Sequence, residues 1–469
     1  MKKMIISLSV ISAFALSASA SSNAELTQQI NDLKAQLAKL EKKVGTVDKK
    51  ANTARMLANG NHLKWDVDFR TTDDRIKYTM GDGSTKKNNG LLANRLLLNM
   101  KYDAGDHVRF YGTLSYYKAF GHTLPVASNS NSKFDWVTNE NTSDDSIRIK
   151  EAYWLYSNDT FFGKPVSWTA SIGRRPSTDG LGINFREGNK RKSAIASTVN
   201  LEFDGASFRW NLDKVLPLEG SWFKLCMGRG ITSAKPRFSN TGDDYAKDDN
   251  YINADMIGFI FVPYDDGQYS LHTNYAKANG MIGDGDNNIS TNDFKAYGDL
   301  ELATIFFKAE GIGDGINDFL DDTIFFASYS QSKTLPDAGK QMLGSSKKET
   351  GHSTWIGLQM PGLFFDDARW GVEWNKGSKY WRSMTYGEDT MIGSKIAARG
   401  TAKEIYWIKP LTKSLSINLR YTQIDYDYTG SNGFFGPFGT PMSISDAVAA
   451  GMNPVKKAKD FRVAFRYKF

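Results

Sequence analysis

Basic side chains are concentrated between residues 174 and 198, where the sequence holds six arginines and lysines and only two acidic residues. An arginine guanidinium presents paired donors that suit phosphate, sulfate and carboxylate groups. This stretch therefore predicts a segment that attracts anions. A solvated surface hairpin is the alternative. The charged residues of the stretch are Arg174, Arg175, Asp179, Arg186, Glu187, Lys190, Arg191 and Lys192.

Other residue types that commonly do chemistry are sparse. The five histidines, at positions 62, 107, 122, 272 and 352, are not spaced as metal ligands. The single Cys226 permits neither an internal disulfide nor a Cys-x-x-Cys metal or haem site. No local Ser/His/Asp signature is present. We therefore expect no enzymatic activity, no cofactor and no metal site.

The first twenty residues have the pattern of a secretory signal peptide. Lys2 and Lys3 precede an apolar stretch over residues 4–16, and an Ala-Ser-Ala sequence ends at Ala20. Such a pattern predicts cleavage between Ala20 and Ser21, and hence an exported chain. A retained N-terminal anchor is the alternative.

A heptad pattern follows over residues 21–60. Apolar residues recur at alternating steps of four and three, a spacing that a single 3.6-period helix does not keep. The pattern predicts a short coiled coil, and we favour a trimer. One helix packed on the body of the same chain is the alternative. The repeating positions are Leu26, Ile30, Leu33, Leu37, Leu40, Val44, Val47, Ala51, Ala54 and Ala58.

Beyond residue 61 the apolar period becomes two, as in strands with one apolar and one polar face. Residues 63–70, 108–116, 166–172 and 369–374 show it clearly. A soluble β-sandwich would alternate in the same way. No run of 18 apolar residues occurs after the N-terminus, which excludes a bundle of membrane helices.

The C-terminal segment favours a membrane barrel over a sandwich. Phe465, Tyr467 and Phe469 share one face of a strand, and Arg466 and Lys468 share the other. Outer-membrane barrels of Gram-negative bacteria commonly end on such an aromatic strand. A closed barrel also pairs every backbone group in lipid without long apolar runs.

Connection lengths support the barrel, because long and short gaps alternate along residues 61–469, and we expect the first long loop at residues 73–90. We predict an all-β antiparallel transmembrane barrel of about 16 strands, with 14 or 18 as alternatives, and place both termini in the periplasm. Segment 294–311 is too long for one regular strand, and the phase slips within 199–210 and after Tyr421, which indicates bulges or a misplaced strand. The predicted strand centres are residues 67, 97, 113, 151, 170, 204, 225, 257, 272, 302, 326, 356, 371, 405, 420 and 464.

The face of these strands that we assign to the barrel lumen is rich in basic residues. Glu151 is out of phase with its strand. Charged rings in a lumen set the selectivity of a pore. The alternative is that the basic residues lie at the rims, paired with acids or lipid head groups. The main predicted lumen residues are Arg70, Arg95, Arg109, Arg369, Arg420, Arg462 and Arg466.

This order of segments resembles the porins of Gram-negative bacteria, and more narrowly an uncharacterised porin-like family with a short N-terminal helix. The stretch Ile172-Gly173-Arg174-Arg175-Pro176-Ser177-Thr178-Asp179-Gly180 is similar to a motif of that family. Trimeric sugar and phosphate porins share the layout of a coiled coil before a barrel. The resemblance implies an outer-membrane location, passive transport of small hydrophilic solutes and a homotrimer, with no nucleic acid as partner.

The resemblance also implies a role for the basic stretch, because the third outer loop of general porins folds into the barrel and narrows it. Arg174, Arg175, Asp179, Arg186, Glu187, Lys190 and Arg191 would then line or flank a constriction that Gly180-Leu181-Gly182 lets fold tightly against the wall. We expect a preference for anions. Two other functions remain open: a sheath for a multihaem cytochrome, and a structural anchor between cell wall and membrane.

Overall fold

A computed structural model describes Lys34 and residues 63–469. Lys34 is helical and exposed. The signal-cleavage residues Ala20 and Ser21 and the rest of the predicted coiled coil lie outside the described residues. Gaps in the description fall at residues 123–140, 143–145, 176–177, 192–193, 235–236, 239, 248–251, 285–293, 314, 363–364, 366 and 386–387.

Residues 63–469 form one compact unit, a closed antiparallel barrel of sixteen strands. Each of the sixteen predicted strand centres falls within one of them. The alternating pattern therefore located the strands correctly, and the predicted fold class is confirmed. The barrel strands are β1 (Leu63–Met80), β2 (Thr85–Gly105), β3 (Val108–Ala119), β4 (Arg148–Asn158), β5 (Trp168–Arg175), β7 (Phe203–Asn211), β8 (Trp222–Ile231), β9 (Ala254–Asp265), β10 (Tyr269–Asp284), β11 (Phe294–Glu310), β12 (Ile324–Pro336), β13 (Thr350–Pro361), β14 (Arg369–Gly377), β16 (Gly400–Pro410), β17 (Leu415–Tyr426) and β18 (Val455–Lys468).

The barrel closes where β1 pairs with β18. Val67 and Phe469 exchange backbone hydrogen bonds of 2.8 and 2.9 Å at this seam. Phe465 and Tyr467 lie on the outer face and are 49% and 42% exposed. The aromatic residues of the last strand thus face the surroundings of the barrel, and their backbone completes its ladder.

The outer wall carries a band of aromatic rings. Trp210, Phe223, Phe259 and Tyr275 stack from strand to strand, with neighbouring ring centroids 5.6–6.2 Å apart. An outward apolar and aromatic surface suits a hydrocarbon environment. No helix among the described residues has the length and apolar character needed to cross a membrane.

Long and short connections lie at opposite ends of the barrel. Leu63 and Phe469 lie at the end with the short connections, which we call the terminal end. The prediction of a first long loop at 73–90 is wrong, because β1 and β2 extend as a hairpin to a tight turn at residues 81–84. Segment 294–311 forms one strand, β11, of 17 residues.

Two irregularities in the sequence pattern have a structural cause. Between β3 and β4 the pairing shifts so that Thr113 pairs with Glu151 and Leu114 with Ile149, and Lys150 is the extra residue. This bulge brings Lys150 and Glu151 to the buried side together. At residues 199–202 the chain has not yet entered the wall, since β6 (Val199–Asn200) pairs with an inner segment.

Two long connections fold into the barrel. Inner loop 1, residues 176–202, contains helix α1 (Ile183–Glu187) and β6. Inner loop 2, residues 378–399, contains β15 (Met384–Thr385), which pairs in parallel with β6. The apparent phase slip after Tyr421 results from the packing of inner loop 2 on the wall. Strand β17 keeps its register, and its inward-facing Ile424 is apolar because it packs on Ile392 of inner loop 2.

The remaining helices are short and lie in connections. Helix α2 (Asp318–Asp321) lies between β11 and β12 at the terminal end. Helix α3 (Ile444–Ala449) follows a 3₁₀ turn (Pro437–Gly439) in the connection between β17 and β18. In the same connection, Phe434 and Phe435 are buried in an apolar cluster with Leu300 and Leu302 of β11.

Candidate functional site

Apolar contacts hold inner loop 1 against the barrel wall, and charged contacts join both inner loops to the wall. Leu181, Ile183 and Phe185 of inner loop 1 pack on a patch of the inner wall that includes Phe326 and Trp355. The rings of Phe185 and Phe326 stack with centroids 5.8 Å apart. This packing holds α1 against the wall formed by β11–β13.

Two glycines allow inner loop 1 to lie this close to the wall. Gly182 has a φ of +103°, and a Cβ at this position would lie 2.2 Å from the ring of Trp355. A Cβ at Gly180 would lie 2.4 Å from the carbonyl oxygen of Ala194. Both positions therefore need a residue without a side chain, in agreement with the tight fold expected from the sequence.

Asp389 of inner loop 2 lies among basic side chains of β17, β18, β1 and β2. It accepts hydrogen bonds from Arg95 at 2.9 Å and from Tyr117 at 3.1 Å, and it contacts Arg70 through two nitrogens. Its backbone carbonyl accepts from Arg420 and Arg462, each at 2.7 Å.

Glu404 organises a second set of contacts beside the first. Arg186 of α1 donates to Glu404 at 2.9 Å, and Thr422 donates at 2.7 Å. Lys395 of inner loop 2 contacts Glu404 and lies 2.6 Å from Glu373. One strand carboxylate thus joins both inner loops to the wall.

A third set lies at the seam. Arg466 donates to Asp68 at 2.8 Å and to the carbonyl oxygen of Glu187 at 2.6 Å. Arg462 pairs with Asp74. These three sets form the central charge network: Asp68, Arg70, Asp74, Arg95, Arg186, Glu187, Glu373, Asp389, Lys395, Glu404, Arg420, Arg462 and Arg466.

Glu187 and Asp389 of the inner loops stay ionised. Burial raises the pKa of the Glu187 carboxyl, but Arg186, Arg466 and Arg95 outweigh that effect and lower the pKa to about 2. Burial likewise raises the pKa of Asp389, and the guanidinium groups of Arg70 and Arg95 bring it well below its ordinary value. Opposite charges therefore neutralise one another in the network.

Five of the seven predicted lumen arginines belong to this network, namely Arg70, Arg95, Arg420, Arg462 and Arg466. All five point inward and are buried. They hold the inner loops rather than line an open bore. Of the acids that pair with them, the sequence analysis missed Asp74, although it continues the inward alternation of Asp68 and Arg70. No sequence signal pointed to Asp389, which comes from a distant loop.

The remaining predicted residues are spread over the interior. Arg109 pairs with Asp103 at 3.0 Å at the terminal end. Arg369 lines a cavity of about 330 Å³ together with Glu187 and Lys468. Asp179 accepts a hydrogen bond from Asn189 within inner loop 1.

Arg174 and Arg175 lie on opposite faces of β5. Arg175 points inward and its guanidinium lies 4.2 Å from the ring centre of Tyr153. Arg174 is in register with Ala152 on the outer face, and it donates to the carbonyl of Lys150. The structure does not bring Arg174 together with the other predicted constriction residues.

A large cavity remains beside the inner loops, along the inner wall of β1–β8. Its volume is about 690 Å³. Six basic residues and two acidic residues line it, so positive charge dominates there. The charged lining residues are Asp66, Lys101, Glu151, Arg175, Lys190, Arg191, Arg209 and Lys224. We call this space the basic cavity.

The other chemistry of the interior is limited. In the described part of the chain, no three His, Cys, Asp or Glu side chains are grouped to hold a metal ion. His272 bridges Arg191, 3.0 Å from its Nδ1, and Ser270, 2.8 Å from its Nε2. The arrangement can bind and guide charged solutes.

Comparison with solved structures gives distant likenesses to porins. OmpF of Salmonella typhi, in complex with daunomycin, is 11% identical with a TM-score of 0.46, over 87% of this chain and 98% of that one. OprB of Pseudomonas putida is 12% identical with a TM-score of 0.46, over 90% and 97%. The anion-selective porin of Comamonas acidovorans is 12% identical with a TM-score of 0.44, over 87% and 100%.

These values are too low to transfer a function. No curated protein matches the sequence. A family model described as "Protein of unknown function (DUF3373)" matches residues 85–469, which is nearly the whole barrel. The chain belongs to the DUF3373 family, and its fold is a closed antiparallel barrel of sixteen strands.

Proposed function

We propose that the protein is an outer-membrane channel for passive diffusion of small hydrophilic solutes, with a preference for anions. The observation that carries this proposal is the basic cavity, where six basic residues face two acidic ones. In a confined space with low-dielectric walls, such an excess raises the local concentration of anions.

The distribution of charge sharpens the proposal. The arginines around Asp389 and Glu404 are paired with carboxylates, so their charge is neutralised within the network. The solute path then follows the basic cavity, where Arg175 and Arg209 project from the wall. Inner loop 1 contributes Lys190 and Arg191 to this path.

The inner loops help to distinguish the proposed channel from the sheath for a cytochrome. The inner loops occupy the central space that a multihaem cytochrome would need, which favours a path for small solutes over a sheath. We further propose that the protein is a homotrimer with its N-terminal segment in the periplasm, on the basis of the heptad pattern over residues 26–58.

Planar-bilayer recording tests the channel directly. With a gradient of KCl across the bilayer, the purified protein should conduct, and its reversal potential should have the sign of chloride permeation. A cation-selective potential contradicts the anion preference. Absence of conductance, together with a co-purifying cytochrome, would support the sheath instead. Chemical cross-linking of the full chain before denaturation should trap a trimer.

A further inference from the structure

Within the basic cavity, two basic side chains project side by side from neighbouring strands. Arg209 of β7 and Lys224 of β8 are directly opposite one another in the strand register, and both line the cavity. Arg175 of β5 lines the same cavity, but it lies six residues along β5 from Thr169, which is the residue opposite Arg209. Like charges placed directly across two strands destabilise a sheet, so their presence needs a reason.

Arg209 and Lys224 form no ion pair with the described residues. No described carboxylate lies within the 4.0 Å of an ion pair from their charged nitrogens. Nε of Arg209 is buried and has no hydrogen-bond acceptor among the described residues. Buried polar groups are normally satisfied, so the protein leaves this cation without its full set of partners.

Aromatic rings lie against the arginine side chains of the basic cavity. The guanidinium of Arg209 lies 4.3 Å from the ring centre of Trp222, and that of Arg191 lies 5.3 Å from the same ring. Arg175 lies over Tyr153 in the same way. Stacking fixes the plane of a guanidinium and leaves its edge available for an oxyanion.

Hydroxyl groups continue the surface beside the cations. Ser171 and Ser207 are paired across β5 and β7 with their oxygens 3.0 Å apart, and Thr169 lies opposite Arg209. All three line the basic cavity. Small hydroxyl side chains suit the hydroxyl groups of a polyol, while the cations suit a compact dianion.

We propose that Arg209 and Lys224 form a saturable binding site for small organic dianions of the phosphate-monoester class. Two adjacent positive charges without a counter-ion among the described residues favour a ligand with two negative charges, and the guanidinium fork of Arg209 matches phosphate oxygens. This inference rests on the proposed channel, because the site lies in its solute path.

Titration calorimetry on the detergent-solubilised full chain at pH 8 tests the site without requiring conduction. The probes are inorganic phosphate, glycerol 3-phosphate, succinate and glycerol. We expect saturable binding of both phosphates, weaker binding of succinate, and none of glycerol. The variants Arg209→Gln and Lys224→Gln should each weaken phosphate binding at least about tenfold, the effect of one lost charge-assisted hydrogen bond.

Lys101→Gln is the matched control. Lys101 lines the same cavity from β2, so its replacement removes the same charge outside the pair of Arg209 and Lys224. Its affinity for phosphate should stay within about twofold of wild type, since a distant charge acts weakly through solvent. The Gln variants should fold, because no salt bridge is broken and a like-charge repulsion is relieved.

The possible outcomes test the phosphate-binding site separately from the channel function. Equal weakening by Lys101→Gln, or an anion-selective channel without saturable phosphate binding, overturns the site and leaves the proposed function intact. Tighter binding of succinate than of glycerol 3-phosphate overturns the phosphate assignment. Saturable phosphate binding that the Gln variants weaken, in a protein that does not conduct, supports the site and contradicts the channel.

Discussion

Asp389 accepts a hydrogen bond from Arg95 at 2.9 Å, although 294 residues separate the two in sequence. The contact carries inner loop 2 across the interior, from its origin between β14 and β16 to the wall of β1–β3. Tyr117 of β3 supports the same carboxylate at 3.1 Å. In the proposed channel, the position of this one carboxylate therefore limits the space left for a solute.

Replacing Asp389 with asparagine should release inner loop 2. The change leaves Arg70 buried without its ion-pair partner and leaves Arg95 with Asp68 alone, 3.8 Å away. Breaking such a buried pair costs about 3–5 kcal/mol. We expect a lower urea midpoint by tryptophan fluorescence and a larger single-channel conductance.

Asp255→Asn is the control for Asp389→Asn. Asp255 forms a two-pronged pair with Arg229 at 2.6 and 2.9 Å, but both side chains are exposed on the outer wall. Loss of an exposed pair costs about 1 kcal/mol or less. Equal effects of the two variants would show that Asp389 does not hold inner loop 2 in place.

Replacing Gly182 with alanine should displace α1 from the wall. The new Cβ would collide with the Trp355 ring, and over-packing of this kind costs about 1–3 kcal/mol. Gly339→Ala, also at positive φ but in open space, controls for backbone strain alone. A shift in conductance with Gly182→Ala and none with Gly339→Ala is expected. The same conductance in both variants contradicts a wall contact that shapes the path.

Glu187 should stabilise the fold down to acid pH. Its pKa of about 2 lies below its ordinary 4.5, so its contribution is complete above pH 4.5 and is lost as the pH falls toward 2. The difference in free energy of unfolding between wild type and Glu187→Gln should reach up to about 3 kcal/mol. It should stay constant from pH 7 to 5 and shrink below 4.5. A difference that already shrinks between pH 7 and 5 would contradict the lowered pKa.

Asp68 and Arg466 should be energetically coupled across the seam. Arg466 donates to Asp68 at 2.8 Å and also to inner loop 1 through the Glu187 carbonyl. A double-mutant cycle with Asp68→Asn and Arg466→Gln should give a coupling of about 0.5–3 kcal/mol in urea unfolding. Additive effects would mean that the pair does not help to close the barrel.

Much of this architecture could be predicted from the order of residues. Period-two alternation located all sixteen strands and turned Arg70, Arg95 and Arg462 inward, because successive side chains of a strand point to opposite faces. The same alternation separates Arg174 from Arg175, although a loop assignment obscured it. The aromatic face of Phe465 and Tyr467 likewise follows from the last strand alone.

Only the tertiary structure decided what fills the barrel. A loop that folds inward carries no periodic signal, and the partner of a buried arginine is set by contacts between distant segments. Asp389 neutralises Arg70 across 319 residues, whereas Arg209 and Lys224, adjacent in the sheet, keep their charge toward the cavity. The sequence determined which side chains face inward; the packing of the inner loops determined which of those charges remain available to a solute.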